Sequence, residues 1–367
     1  MDLRETLIWL NGVPGLGGAR IRALTDHFGS AAAIHRAGTS ALTAVEGIGP
    51  ICAAAIRDSD PAGFVTRECA EAAAAGIAIL TTGDETYPAA LRNIFDPPPV
   101  LYIRGEVRPA DALAVAVVGS RQCSVYGATQ AARLARGLAV RGVTVVSGCA
   151  VGIDAAAHKA VVEAGGRTIG VVGSGLMELY PPENRGLMDR IAGQGALISE
   201  FHLHQGVGRG NFVRRNRVIA GLALGVVVVE AARRSGALIT ARYAAEQGRE
   251  VFAVPGSVDS PRSRGPHALL RDGAVLVEQV EDIIANLGEV GRLLAGAVQA
   301  GAAPPAARTL NGRESAVLAC VEHAPLHIDA IIGLCGLPPA NVAGVLTVLE
   351  LRNLVKELPG KNYVRVP

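Results

Sequence analysis

An α/β fold built on a doubly wound, mostly parallel sheet follows from the way residues 113–287 alternate. Valine-rich apolar runs (LAVAVVG, VTVVSG, TIGVVGSG, ALISEF, VVVVEA, VFAVPG and AVLVE) are separated by stretches with helical apolar spacing. Runs that are apolar throughout, rather than every second residue, mean burial on both faces, which a helix-covered parallel sheet provides. The flanks read differently. Residues 1–75 look all-helical with glycine-rich hairpins, and residues 311–367 read helix, helix, helix, then a strand hairpin. That last order predicts a winged helix.

The 367 residues suffice for two or three domains with cores of their own. A formal net charge of +2 excludes a globally basic nucleic-acid coat, so any positive charge must act through its placement. Hydrophobic residues are 50% and mean hydropathy is +0.32, yet no unbroken apolar stretch approaches the ~20 residues of a spanning helix. No secretory signal is visible, and the expectation is a cytoplasmic protein with no membrane contact. The six cysteines show neither a CxxC pair nor histidines at ligand spacing. This argues against zinc and a disulfide scaffold and fits a reducing compartment. Nothing calls for a cofactor or a metal.

Taken in order, residues 13–24 (VPGLGGARIRAL) and 45–56 (VEGIGPICAAAI) each place a small glycine hairpin before a helix. The pattern resembles the helix-hairpin-helix motif, or a sterile-alpha module. In the former, glycines permit the turn and the next helix offers free N–H groups to a DNA phosphate. Such hairpins serve equally as plain connectors, and only Arg20, Arg22 and Arg57 are near. Residues 76–105 hold two strand-like runs around a proline-rich turn and extend the sheet. Residues 291–310 are an Ala/Gly/Pro linker. In the tail, the third helix (PPANVAGVLTVLELRN) has Arg352 as its lone cation. A groove-reading helix needs a polar exposed face, so packing or protein contact is expected there, leaving Lys356, Lys361 and Arg365 on the wing for weak phosphate contact.

Chemistry concentrates beyond the strand ends, where such sheets bind ligands. Gly119, Ser120 and Arg121 stand where a dinucleotide fold has GxGxxG. A hydroxyl and a guanidinium favour a terminal or backbone phosphate over a buried pyrophosphate. Ser147 and Gly148 can form an anion-binding turn. Asp154 and His158, four apart on one helical face, fit a structural pair better than a catalytic one. Asn184 is expected to cap the following helix, holding Arg185 in a first turn where it opposes the macrodipole and calls for a negative partner. Residues 205–217, QGVGRGNFVRRNR, carry Arg209, Phe212, Arg214, Arg215, Asn216 and Arg217 with no acid. Guanidinium forks match phosphate oxygens, and the ring gives a base a stacking surface. Glu230, ahead of the SGALIT loop, is either the base of a nucleotide-processing enzyme or a buried acid paired with an arginine, and the pairing is preferred.

The ordered series VGSR, SGCAVGIDAAAH, VVGSGLMELYPPEN, LISEF, FVRRNRVIAGLA, VVVVEAARRSGALITA, VFAVPGS and SRGPHALLRDGA resembles the DNA-processing protein A family (DprA, or Smf), across residues 87–284. The resemblance implies an extended Rossmann-like domain at residues 76–290, a helical domain at 1–75 and a winged helix at 311–367. It also implies single-stranded DNA binding without base specificity, homodimers formed through the Rossmann domain, and delivery of protected strands to the recombinase RecA during natural transformation, without catalysis. The residues it assigns to DNA are Gly119, Ser120, Arg121, Ser147, Gly148, Arg185, Phe212, Arg214, Arg215, Asn216 and Arg217. Val213 departs from the proline frequent in the family at that position. Two other readings are a phosphoribohydrolase-like enzyme using Glu230 and a duplex-binding transcription factor using the tail.

Overall fold

The computed structural model describes residues 1–288, 312–321, 325–351, 354–358 and 360–365. The expected 291–310 linker and Arg352 lie outside the described residues. The strands of the main sheet are β1 (Ile77–Thr81), β2 (Val100–Gly105), β3 (Ala114–Val118), β4 (Thr144–Ser147), β5 (Thr168–Val171), β6 (Ala196–Ser199), β7 (Gly225–Val228), β8 (Glu250–Ala253) and β9 (Val275–Leu276). Their order is β1-β2-β6-β5-β4-β3-β7-β8-β9. From β6 to β9 every neighbouring pair is parallel, while β2 runs antiparallel to β6 and to β1. The 76–105 segment therefore extends the β6 edge, as its alternation suggests.

Both faces of the sheet are covered because successive side chains point opposite ways. Val115, Val117, Val145 and Val227 pack under the helices Val125–Val140, Ile153–Glu163 and Val280–Ala285. Ala116, Val118, Val146, Val226 and Val228 pack under Arg209–Leu222 and Gly236–Glu246. Each valine or leucine buried in this way stabilises by about 1.5–3 kcal/mol. Strands β3 to β6 step outward in one direction, and the Arg209–Leu222 helix then carries the chain back to β7 on the other side of β3. That reversal opens a crevice beyond the carboxyl ends of β3 and β7.

The helix after β6 begins at Arg209, behind the extended Gly208. The arginine-rich segment is thus helical, and its side chains are distributed by the 3.6-residue period.

The N-terminal helices do not form a separate core. Ile8, Trp9, Leu10, Ile21 and Leu24 join Tyr102, Val172, Met188 and Leu197 of the sheet layer in one cluster. Asn11 Nδ2 donates to the Glu200 carbonyl at 3.0 Å, and Leu203 N donates to Glu68 Oε1 at 2.7 Å. The hairpins are as the glycines require. Gly15 and Gly47 have φ of +82° and +79°, and Gly17 and Gly49 are the caps of the following helices.

The tail is a winged helix: helices Gly312–Cys320, Ile328–Cys335 and Pro339–Leu351 with β10 (Leu326–His327), β11 (Val355–Leu358) and β12 (Asn362–Arg365), antiparallel in the order β10-β12-β11. Val342, Val345, Leu346, Val348 and Leu349 of its third helix are buried, and this helix meets the turn Pro109–Ala112. On the wing, Lys361 pairs with Glu357 at 3.0 Å. Among the described residues, no single helix is long and apolar enough to cross a membrane.

Candidate nucleic-acid interface

The crevice is closed at its base by glycine. A Cβ on Gly119 would stand 2.9 Å from Ile153 Cβ and 3.0 Å from the Glu230 carbonyl oxygen. Ser120 N donates to that same oxygen at 2.7 Å, locking the turn after β3 to the turn after β7. Arg121 is left exposed, with its guanidinium over the Phe212 ring, 4.5 Å from the centroid. Phe212 in turn lies 6.2 Å from the ring of Tyr180, tilted by 52°. Tyr180 is 44% exposed. Three crossover connections, those after β3, β5 and β6, therefore meet in one strip of guanidinium and aromatic faces, suited to backbone charge and base stacking. The sequence reading passed over Tyr180; its signal was an aromatic in the stiff YPPEN turn.

Helical spacing divides the arginines of Arg209–Leu222 between two flanks. On the crevice flank, Arg215 is only 4% exposed. It enters over Gly148, where a Cβ would stand 1.5 Å from Arg215 Nη1 and 2.7 Å from Asp154 Oδ2. Gly148 thus supplies space. Burial pushes the Asp154 carboxyl up, with Arg215 opposing; burial pushes the Arg215 guanidinium down, with Asp154 opposing. Arg215 Nε has no hydrogen-bond partner, which for a buried donor costs about 1–3 kcal/mol or more. Asn216 Nδ2 donates to the Gly236 carbonyl at 3.1 Å and ties this helix to the start of Gly236–Glu246; the SGALIT segment, expected as a loop, is the cap and first turns of that helix. Ser147 is fully buried and its hydroxyl donates to Val117 O at 2.6 Å, so it joins β4 to β3 and does not face the crevice. The resulting cavity, about 510 Å³, is lined by Ser120, Arg121, Phe212, Arg215, Asn216 and Arg234, among others.

The opposite flank is internal. Arg214 Nε lies 3.2 Å from Glu200 Oε2, with its guanidinium 5.1 Å from the Phe201 ring. Arg217 Nη2 donates to the same Glu200 oxygen at 2.5 Å, and Arg217 Nε lies 3.4 Å from Asp96 Oδ2. Asp96 also receives Arg22 at 2.9 Å. Burial pushes the Glu200 carboxyl up, and Arg217 and Arg214 pull it back. Arg214 and Arg217, three apart on one face, hold the helix to loop 200–203 and to the N-terminal helices.

Three sequence expectations are corrected. Asp154 and His158 do not pair with each other: Asp154 turns to Arg215 and the Ala150 N–H, while the His158 ring bonds Thr168 Oγ1 at 2.7 Å beneath the sheet. Burial lowers His158 to about 3 and raises neighbouring Cys149 to about 12, so neither group is poised for chemistry at neutral pH. Asn184 does not cap its helix; its amide donates to the Cys149 carbonyl at 2.9 Å, because its φ of −97° and ψ of 1° are not those of an extended cap. Arg185 is exposed at that helix start, where the first turn holds no acid. Among the described residues, Glu230 pairs with no arginine. It accepts from Ser124 N at 2.8 Å and Ser124 Oγ at 2.5 Å, anchoring the cap of Val125–Val140.

A cavity at the switch point, rimmed by guanidinium and aromatic groups and without dinucleotide glycines, places the domain among Rossmann-like folds. Comparison with known proteins narrows the class. Residues 78–288 match the family described as DNA recombination-mediator protein A, and residues 301–361 match the DprA winged helix domain. The chain belongs to the DNA recombination-mediator protein A family. It is 40% identical over 289 residues to Protein Smf of Escherichia coli, covering 78% of this chain and 77% of that protein. It is 44% identical over 203 residues to DNA processing protein DprA of Streptococcus pneumoniae, covering 55% and 72%. The solved structure of the latter superposes with a TM-score of 0.67 at 34% identity, covering 78% of this chain and 99% of that one. DNA processing protein A from Helicobacter pylori, described for its single-stranded DNA binding mode, matches with a TM-score of 0.53 at 29% identity over 60% of this chain and 96% of that one.

Proposed function

We propose that this protein grips single-stranded DNA by its backbone, without reading sequence, protects it, and helps load RecA onto it during recombination and natural transformation. It acts as a cytoplasmic homodimer joined through the Rossmann domain, and as a mediator without catalysis. The observation that carries the reading is Arg215, a buried guanidinium with an unpaired Nε, in the wall of a cavity whose rim holds Arg121 on Phe212. A strand phosphate would supply the missing acceptor, Phe212 and Tyr180 would stack bases, and exposed Arg185 would take a neighbouring phosphate. Gly119, Ser120, Gly148 and Asn216 shape the groove; Ser147, Arg214 and Arg217 hold its walls. The family relation and the Helicobacter pylori structure support the same ligand.

The test is fluorescence anisotropy with single strands and duplexes at two salt concentrations. Binding should favour single strands and weaken by about 0.7 log units per contacted phosphate for each log unit of salt. Arg121→Glu should weaken all strand sequences alike. A loss confined to one base composition, or binding indifferent to salt, would overturn the backbone grip.

A further inference from the structure

A second cavity, of about 560 Å³, lies on the other flank of the Arg209–Leu222 helix. Its walls include Gly15, Gly17 and Gly18 of the first N-terminal hairpin, Glu200, Asn211 and Arg214. The helix Gly18–Phe28 starts here without a side-chain cap: its cap is Gly17 and its first turn holds no acid, while Asp96 Oδ1 lies to one side, 2.8 Å from where a Gly18 Cβ would stand. The N–H groups of Gly18, Ala19 and Arg20 accordingly have no helical acceptor. The Arg214 guanidinium carbon lies 3.8 Å from where a Gly17 Cβ would stand. Facing them, Glu200 is 2% exposed; its Oε2 takes Arg214 and Arg217, and its Oε1 has no partner.

The cavity thus asks for two things at once. The helix start needs an acceptor, and Glu200 Oε1 needs a donor. The acids present do not reverse its sign, because Asp96 already takes Arg22 and Arg217, and Glu200 already takes Arg214 and Arg217. A nucleotide meets both demands, with phosphate oxygens for the N–H groups beside Arg214, and a base imino or amino group for Glu200. The two cavities are adjacent along one chain segment, since Phe212 and Arg215 line the first while Asn211 and Arg214 line the second.

We propose that this second cavity holds a further nucleotide of the same single strand, so that the DNA track crosses the first turn of Arg209–Leu222 onto the first hairpin. The inference rests on the single-strand reading above. The second hairpin has the same turn, with Gly47 at φ +79° and an uncapped Gly49, but lines neither cavity. It is an internal control.

The full chain carrying Gly17→Asp tests this. At φ −119° an aspartate fits, and its nearest neighbours would be Arg214 atoms at ordinary contact distance. It caps the helix and places a carboxylate where the phosphate would lie. Anisotropy is read with oligothymidylates of increasing length, beside thermal melting. The expected result is an undiminished melting temperature, affinity for long strands lowered about tenfold, the shortest bound strands unaffected, and Gly49→Asp like wild type. Ala19→Glu, exposed in the same first turn, should reproduce the loss and replaces Gly17→Asp if that variant melts early. If both variants bind every length as wild type does while Arg121→Glu abolishes binding, the second cavity holds no nucleotide. If Arg121→Glu is also without effect, the single-strand reading itself falls and the inference with it.

Discussion

On one flank of the Arg209–Leu222 helix, Arg215 is buried with an unpaired Nε beside the exposed Arg121; on the other, Arg214 and Arg217 share the Glu200 carboxylate. Arg214, Arg215 and Arg217, so close in sequence, would repel one another in a single patch. The helical period separates them into one flank that lacks an anion and one that contains its own. On the first an arginine itself retains a demand that a phosphate could meet; on the second the arginines have their acid, and the unmet groups are the uncapped N–H groups of the neighbouring Gly18–Phe28 helix. An arginine-rich run therefore divides between cohesion within the protein and guanidinium left open to an anion, and burial of an acid decides which.

The comparison can be broken most sharply at Glu200. Glu200→Ala leaves Arg214 and Arg217 without their shared carboxylate, and removing one partner of such a buried pair costs about 3–5 kcal/mol. Urea unfolding should show a loss of that size. A change under about 1 kcal/mol would mean that the internal flank is not held by this network. The crevice flank answers to a double-mutant cycle. Arg215→Met strands Asp154 in a buried site and should cost about 3 kcal/mol. Adding Asp154→Asn should recover most of the stability and none of the DNA affinity. Recovery of both would assign Arg215 a purely structural role.

A smaller effect separates Asp154 from His158 on their common helix. His158 is held at about 3 in the fold against 6.5 when unfolded. Between those values the unfolded chain binds the additional proton, so stability is full above about pH 6.5 and falls on acidification. The slope from this residue approaches about 1.4 kcal/mol per pH unit, or about 2 kcal/mol by pH 5. His158→Gln should flatten the wild-type dependence between pH 7 and 5 in parallel melts. Asp154 and Glu200, whose carboxyls burial pushes up, act in the opposite sense, from their unfolded values upward. An unchanged slope in His158→Gln would place the titrating group elsewhere.

Much of the fold could be read locally. Apolar valine runs can only be strands covered on both sides, and the turns after them mark the ligand end of such a sheet. That logic led to Arg121, Phe212 and the crevice. It failed where partners are distant in the chain. The Glu230 carboxylate meets Ser124, 106 positions away, and not an arginine. Asn184 reaches back to Cys149, and His158 to Thr168. The N-terminal helices looked like a domain apart, yet Trp9 and Ile21 share a core with Leu197 and Met188.

Hydropathy period, glycine turns and motif order were enough, by themselves, to define the sheet, the winged helix and the end of the sheet where the crevice opens, because each depends on neighbours a few residues apart. Which arginine faces solvent, which faces Glu200, and that Tyr180 comes to Phe212 were decided only by the tertiary structure. A charge or a ring carries no address: its partner is whatever packing brings within hydrogen-bond or stacking reach.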